Sequence, residues 1–91
     1  MKLWHAELVA WRCRRGLKEL DIILQAFFQQ HYSDMPDEQK LTLQSILLWT
    51  DPELMDALLY QHTNPDLAMP VQQLLTQLRI FAKSLIHYSA V

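Results

Sequence analysis

The residues of this chain that could do chemistry are concentrated in one stretch, WRCRRGLKELD at positions 11–21. It holds four of the chain's eight Lys and Arg residues, together with its only glycine, Gly16, and its only cysteine, Cys13. A guanidinium can bind a carboxylate through two parallel hydrogen bonds. A glycine lets another backbone approach closely because it has no Cβ. The stretch is therefore suited to docking against a polar surface of another protein.

Gly16 and its neighbours also have plainer explanations. Gly16 could end a first helix in the left-handed conformation, or allow two helices to cross closely. Arg15 and Glu19 would share a face if one helix ran through both, and such a pair is worth only about 0.2–0.5 kcal/mol. The three explanations for Gly16, two structural and one of partner contact, do not exclude one another.

Other chemistries are weakly supported. Cys13 between arginines could have a lowered pKa, although a packed, inert thiol is the commoner case. Trp11 lies four positions before Arg15 and could stack on it. The histidines lack metal-ligand spacing, and one glycine cannot make a phosphate-binding loop. We therefore expect no metal site and no dinucleotide held in a phosphate-binding loop. The histidines are His5, His31, His62 and His87.

Composition narrows the class of protein. The net charge is −2 over 91 residues, so the basic patch at 12–18 lies on a mildly acidic body and does not suggest nucleic-acid binding. No signal peptide or membrane span is recognisable, and a lone cysteine fits a reducing compartment. We expect one soluble cytoplasmic domain over 1–91, monomeric and not inserted in a membrane.

Apolar spacing predicts an all-α, compact five-helix bundle. The expected helices cover about 3–14, 16–32, 36–49, 51–61 and 70–87. Trp4, Leu8 and Trp11 are spaced as the apolar face of the first helix, which Arg15 would extend. Thr50 or Asp51, with Pro52 and Glu53, predicts a capping box at the start of the fourth. The expected core residues are Leu20, Leu24, Phe27, Phe28, Leu47, Leu54, Leu58, Leu74 and Leu78.

Three segments together resemble the SdhE family, the flavinylation assembly factors of succinate dehydrogenase. RRGLKELD at 14–21 is similar to that family's Arg-Gly-x-x-Glu signature, and WRCRRGLKELD follows its bacterial members closely. FFQQHY at 27–32 and DPELMDALL at 51–59 are similar to two further segments. The resemblance covers about positions 11–62.

The resemblance implies a five-helix bundle that is an assembly chaperone and no enzyme. It would promote covalent attachment of FAD to a histidine of the succinate dehydrogenase flavoprotein subunit, and of fumarate reductase in some bacteria. FAD is then a cofactor of the client. The functional residues would be Arg15, Gly16 and Glu19, surrounded by Trp11, Arg12, Arg14, Lys18 and Asp21. The alternatives are an antitoxin-like or regulatory interaction module and a nucleic-acid-binding bundle.

Overall fold

Five α-helices and one 3-10 turn make up the fold, and the part of the chain that is described contains no β-strand. The computed structural model describes residues 2–60 and 64–89, with side chains as far as residue 85. The predicted five-helix bundle is confirmed. The 3-10 turn is Tyr32–Asp34, and the helices are α1 (Ala6–Arg12), α2 (Lys18–His31), α3 (Asp37–Ile46), α4 (Asp51–Leu58) and α5 (Met69–Ser89).

The predicted capping box at the start of α4 is confirmed. Thr50 is the N-cap: its hydroxyl accepts a hydrogen bond from the backbone N–H of Glu53 at 3.4 Å, and its own N–H donates to Glu53 Oε1 at 2.9 Å. The backbone hydrogen bond, followed by that of the Thr50 side chain, lowers the pKa of the exposed Glu53 carboxyl. Two otherwise unpaired donors are satisfied in this way, so α4 has a well-defined first residue, Asp51.

The core lies where α5 packs against α2, α3 and α4. All the predicted core residues are buried except Phe28, which is half-buried and stacks on the Tyr32 ring with centroids 4.6 Å apart. Phe28 lies at the edge of the buried face of α2, toward α1. None of the helices within 2–60 and 64–89 is both long enough and apolar enough to cross a membrane.

The predicted apolar face of the first helix is wrong for Leu8 and Trp11, whereas Trp4, which precedes α1, does pack against the core. Val9 and Cys13 point into the core, whereas Leu8 is 39% and Trp11 65% exposed. The Val9 and Cys13 side chains both belong to the main core cluster. The helix has only seven residues, so its buried face is set by this packing and not by its largest apolar side chains.

A buried glutamine fixes the segment that precedes α1. Gln44 of α3 is 1% exposed, and its side-chain oxygen accepts a hydrogen bond from the backbone N–H of Trp4 at 2.8 Å. Its amide nitrogen donates to the carbonyl of Lys2 at 2.7 Å. Both polar atoms of the amide are thus paired, as burial requires. Through these two hydrogen bonds, the Gln44 side chain holds the backbone of residues 2–4 against α3.

Burial also decides the chemistry of Cys13. Desolvation raises the pKa of this thiol from 9.0 to about 12, outweighing the opposing effect of the Arg15 charge. The alternative of a pKa lowered by the flanking arginines is therefore wrong. Burial also raises the pKa of Tyr32, with smaller contributions from Cys13 and Asp37.

These shifts predict that stability falls at alkaline pH. Below about pH 9 the thiol is protonated in both the folded and unfolded states. Between about pH 9 and pH 12 only the unfolded state ionises, so the free energy of unfolding should decrease as pH rises. Urea unfolding from pH 7.5 to pH 10.5 measures this, with Cys13→Ala as the comparison. An equal slope for the two proteins would show that Cys13 does not contribute.

Candidate functional site

The loop of residues 13–17 between α1 and α2 is fixed to the first turn of α2. The backbone N–H of Arg15 donates to Asp21 Oδ1 at 2.8 Å. Leu17 is the N-cap of α2 and provides no side-chain cap. Asp21 therefore has a positioning role: it ties the loop to the helix and places a negative charge near its positive N-terminal end.

The Arg15 side chain crosses from this loop to the junction of α3 and α4. Nη2 donates to the carbonyl of Leu47, and Nη1 donates to the carbonyl of Trp49 at 3.2 Å. Nη1 also lies 3.4 Å from Asp51 Oδ1, the first residue of α4. Carbonyls at a helix C-terminus have no partner within the helix, and a cation there is favourable. The guanidinium thus closes α3 and fastens it to α4.

These contacts correct three expectations about Arg15. Its side chain is only 13% exposed, so most of it cannot touch a partner. It lies before α2, so it forms no i,i+4 pair with Glu19, which is exposed. Trp11 does not stack on it; the Arg14 guanidinium lies over the Trp11 ring instead, 5.5 Å from its centroid.

Gly16 is exposed and has neither of the two structural roles considered for it. Its φ is not in the left-handed region, so it is no αL cap. A Cβ built on it would meet only Asp51 Oδ2, at an ordinary contact distance of 3.7 Å, so no close helix crossing requires a glycine here. The fold would accept an alanine at this position.

The other predicted residues fall into two groups. Arg12 lies over the Trp4 ring, 5.6 Å from its centroid. Gly16 and its exposed neighbours form what we call the Gly16 surface, which consists of Trp11, Arg14, Gly16, Lys18 and Glu19. Neither Arg14 nor Glu19 has an ion-pair partner within the described part of the chain. This surface can therefore offer a cation, an anion and an accessible backbone to a partner.

Asp51 is the site residue that the sequence did not reveal. Thr50 and Glu53 satisfy the start of α4, which leaves the Asp51 carboxylate free to face Arg15 and Gly16. The only indication in the sequence was that the segments at 11–21 and 51–59 both take part in the resemblance to the SdhE family. Within residues 2–60 and 64–85, no group of His, Cys, Asp and Glu side chains could hold a metal ion. His62 and the side chain of His87 lie outside the described residues.

The contacts of Arg15 predict that it stabilises the fold. Its Nε is buried with no hydrogen-bond partner in the described part, which offsets some of the gain from its other contacts. We expect Arg15→Ala to lower the free energy of unfolding by about 2 kcal/mol, measured by urea unfolding. The exposed Arg14→Ala is the control and should cost less than about 1 kcal/mol. Equal losses of unfolding free energy in the two variants would show that the Arg15 side chain does not fasten α3 to α4.

Comparison with known proteins supports the resemblance found in the sequence. Residues 8–82 match the Sdh5 family, described as flavinator of succinate dehydrogenase. The chain is 34% identical over 61 residues to the FAD assembly factor SdhE of Haemophilus ducreyi. This match covers 67% of this chain and 74% of that protein. It is 38% identical over 66 residues to SdhE of Shewanella oneidensis, covering 72% and 80% of the two chains.

The match spans α2, α3 and α4 entirely. It therefore includes Arg15, the residues at the junction of α3 and α4 that Arg15 contacts, and the whole Gly16 surface. The chain belongs to the Sdh5 family of succinate dehydrogenase flavinators.

Proposed function

We propose that the protein promotes covalent attachment of FAD to the flavoprotein subunit of succinate dehydrogenase. The observation that carries this proposal is Gly16: the only glycine of the chain is exposed at the centre of the family's signature, and the fold does not require it. The family match over residues 8–82 includes this position, and relatives that match 67% and 72% of the chain bear the name FAD assembly factor SdhE. A residue that the fold does not need, at such a position, is explained by contact with a client.

The Gly16 surface supports positioning rather than covalent catalysis. Its nearest nucleophile, Cys13, is 1% exposed and its pKa is raised to about 12, so it stays a thiol at neutral pH. Holding reacting groups in the correct geometry can by itself lower a barrier by several kcal/mol. The protein would thus act as a chaperone that aligns the client's histidine and flavin, with no catalytic residue of its own.

The residues of the signature have different roles in this positioning of the client. Gly16 lets the client backbone approach, and the exposed Glu19 meets a basic group of the client. Arg15 holds the loop in place from inside the protein. We propose that the protein acts as a cytoplasmic monomer and that the flavoprotein subunit of fumarate reductase is a second client. The net charge of −2 gives no support to a nucleic-acid-binding bundle.

Substitutions at Gly16 test the contact role. Gly16→Ala and Gly16→Arg should leave melting nearly unchanged, because φ is not positive and the added Cβ meets only Asp51 Oδ2. Covalent flavin in the client should fall for Ala and fall further for Arg, whose bulk keeps the client backbone away. The measurement is in-gel flavin fluorescence of the flavoprotein subunit in a strain that lacks the gene and carries each variant.

Gln73→Arg, an exposed position on α5, provides a control for adding an arginine at the surface. It should flavinylate the client at the normal rate. Well-folded Gly16 variants that also do so would refute the contact role.

We also expect no tight binding of free FAD. One glycine cannot form the phosphate-cradling loops that bind dinucleotides, and a helper that positions the client's flavin does not need its own. Titration calorimetry of the purified protein with FAD should give no heat at micromolar concentrations. Sub-micromolar affinity would overturn this expectation.

A further inference from the structure

A groove runs between α1 and α2 and opens beside the Gly16 surface. Its wider section has a volume of about 360 Å³ and is lined by Glu7, Ala10, Trp11, Arg14 and Gln25. A narrower section of about 110 Å³ is lined by Ala10, Cys13, Gln25, Phe28 and Gln29. Ala10 and Gln25 line both sections, so the two adjoin at these residues.

The groove exists because α1 presents a small side chain to α2. Ala10 leaves space between the helices, where a larger residue would fill it. Phe28, which is only half-buried, forms part of the narrow end. The exposed, apolar part of Phe28 is thus explained by the groove it lines.

Side chains along the groove have unused binding capacity. Trp11 is 65% exposed at its mouth. Arg14 contacts the Trp11 ring but has no anionic partner within the described residues. The side-chain amides of Gln25 and Gln29 make no hydrogen bond in that same part of the chain. The lining thus offers an aromatic ring and a guanidinium, from Trp11 and Arg14, and two amides, from Gln25 and Gln29.

We propose that this groove binds an extended segment of the client flavoprotein subunit, which continues the contact made at Gly16. This inference rests on the proposed function. A carboxylate of the segment would pair with Arg14, an apolar side chain would pack on Trp11 and Ala10, and backbone groups would bond to Gln25. Arg14 is the cation on this lining and favours an acidic side chain at its end of the groove, while Glu7 carries the opposite charge on the same lining.

An extended segment fits better than a helix for two reasons. A helix with its side chains is about 10–12 Å wide, and the narrow section of the groove has room for little more than single side chains. The backbone groups of a helix are also already paired, whereas an extended chain presents free N–H and C=O groups to the glutamine amides.

Two variants change the groove in different ways. Arg14→Glu reverses the charge at its mouth, and Ala10→Leu fills its floor without removing any polar group. The probe is the flavoprotein subunit of succinate dehydrogenase from the same host, purified without covalent FAD, and affinity is measured by biolayer interferometry. We expect each variant to weaken binding about tenfold or more, while Lys83→Glu on α5 binds as the wild type does. Circular dichroism melting confirms that each variant is folded.

A cross-link then locates the segment. With p-benzoylphenylalanine in place of Gln25, illumination should join the two proteins, and the cross-linked client peptide should contain an Asp or Glu. Changing that acidic residue to Lys should restore binding by the Arg14→Glu variant. A merely structural effect of Arg14 would not be rescued in this way.

The outcomes separate this proposal from the proposed function. If Gly16→Arg abolishes binding but Arg14→Glu and Ala10→Leu bind normally, the function stands and the groove proposal is overturned. If Arg14→Glu weakens binding but no acidic client residue rescues it and Ala10→Leu has no effect, the groove proposal is likewise overturned. If the wild-type protein does not bind the flavoprotein subunit, the proposed function itself fails.

Discussion

The structure depends on one interaction, the placement of the Arg15 guanidinium between the end of α3 and the start of α4. Its hydrogen bonds to the carbonyls of Leu47 and Trp49 and its ion pair with Asp51 join three parts of the chain. Because the backbone of Arg15 is also tied to Asp21, the loop before α2 is held at both its main chain and its side chain. The exposed Gly16 is the next residue, so its position is set by contacts that are themselves largely hidden from solvent.

This arrangement divides a short signature into an inner and an outer part. Arg15 and Asp21 face inward and define the shape of the loop, whereas Gly16, Lys18 and Glu19 are presented on the outside. Under the proposed function, a substitution at an inner residue and one at an outer residue would cause the same loss for different physical reasons. Measurements of stability distinguish the two cases, because only the inner residues contribute to packing within the bundle.

Much of the fold could be read from the sequence, because α2 and α5 have long apolar faces and α4 begins with a capping box. The face of α1 could not, since a seven-residue helix contains too few turns for periodicity to identify which apolar side chains are buried. Trp11 has the larger apolar surface, yet Val9 and Cys13 fit the space available. At the candidate site, the sequence singled out the segment but could not give the direction of Arg15, which is determined by carbonyls and a carboxylate more than thirty positions away.

That separation has a consequence during synthesis. As the chain leaves the ribosome, the signature emerges well before Leu47, Trp49 and Asp51, so the loop has no anchor until α3 and the beginning of α4 have followed. Gln44 holds residues 2–4 from a similar distance. The loop of residues 13–17 therefore lacks the Arg15 contacts until more than half of the chain has been made. An isolated peptide with the sequence of positions 11–21 would lack the same anchors, so the shape of the loop belongs to the tertiary structure and not to this segment alone.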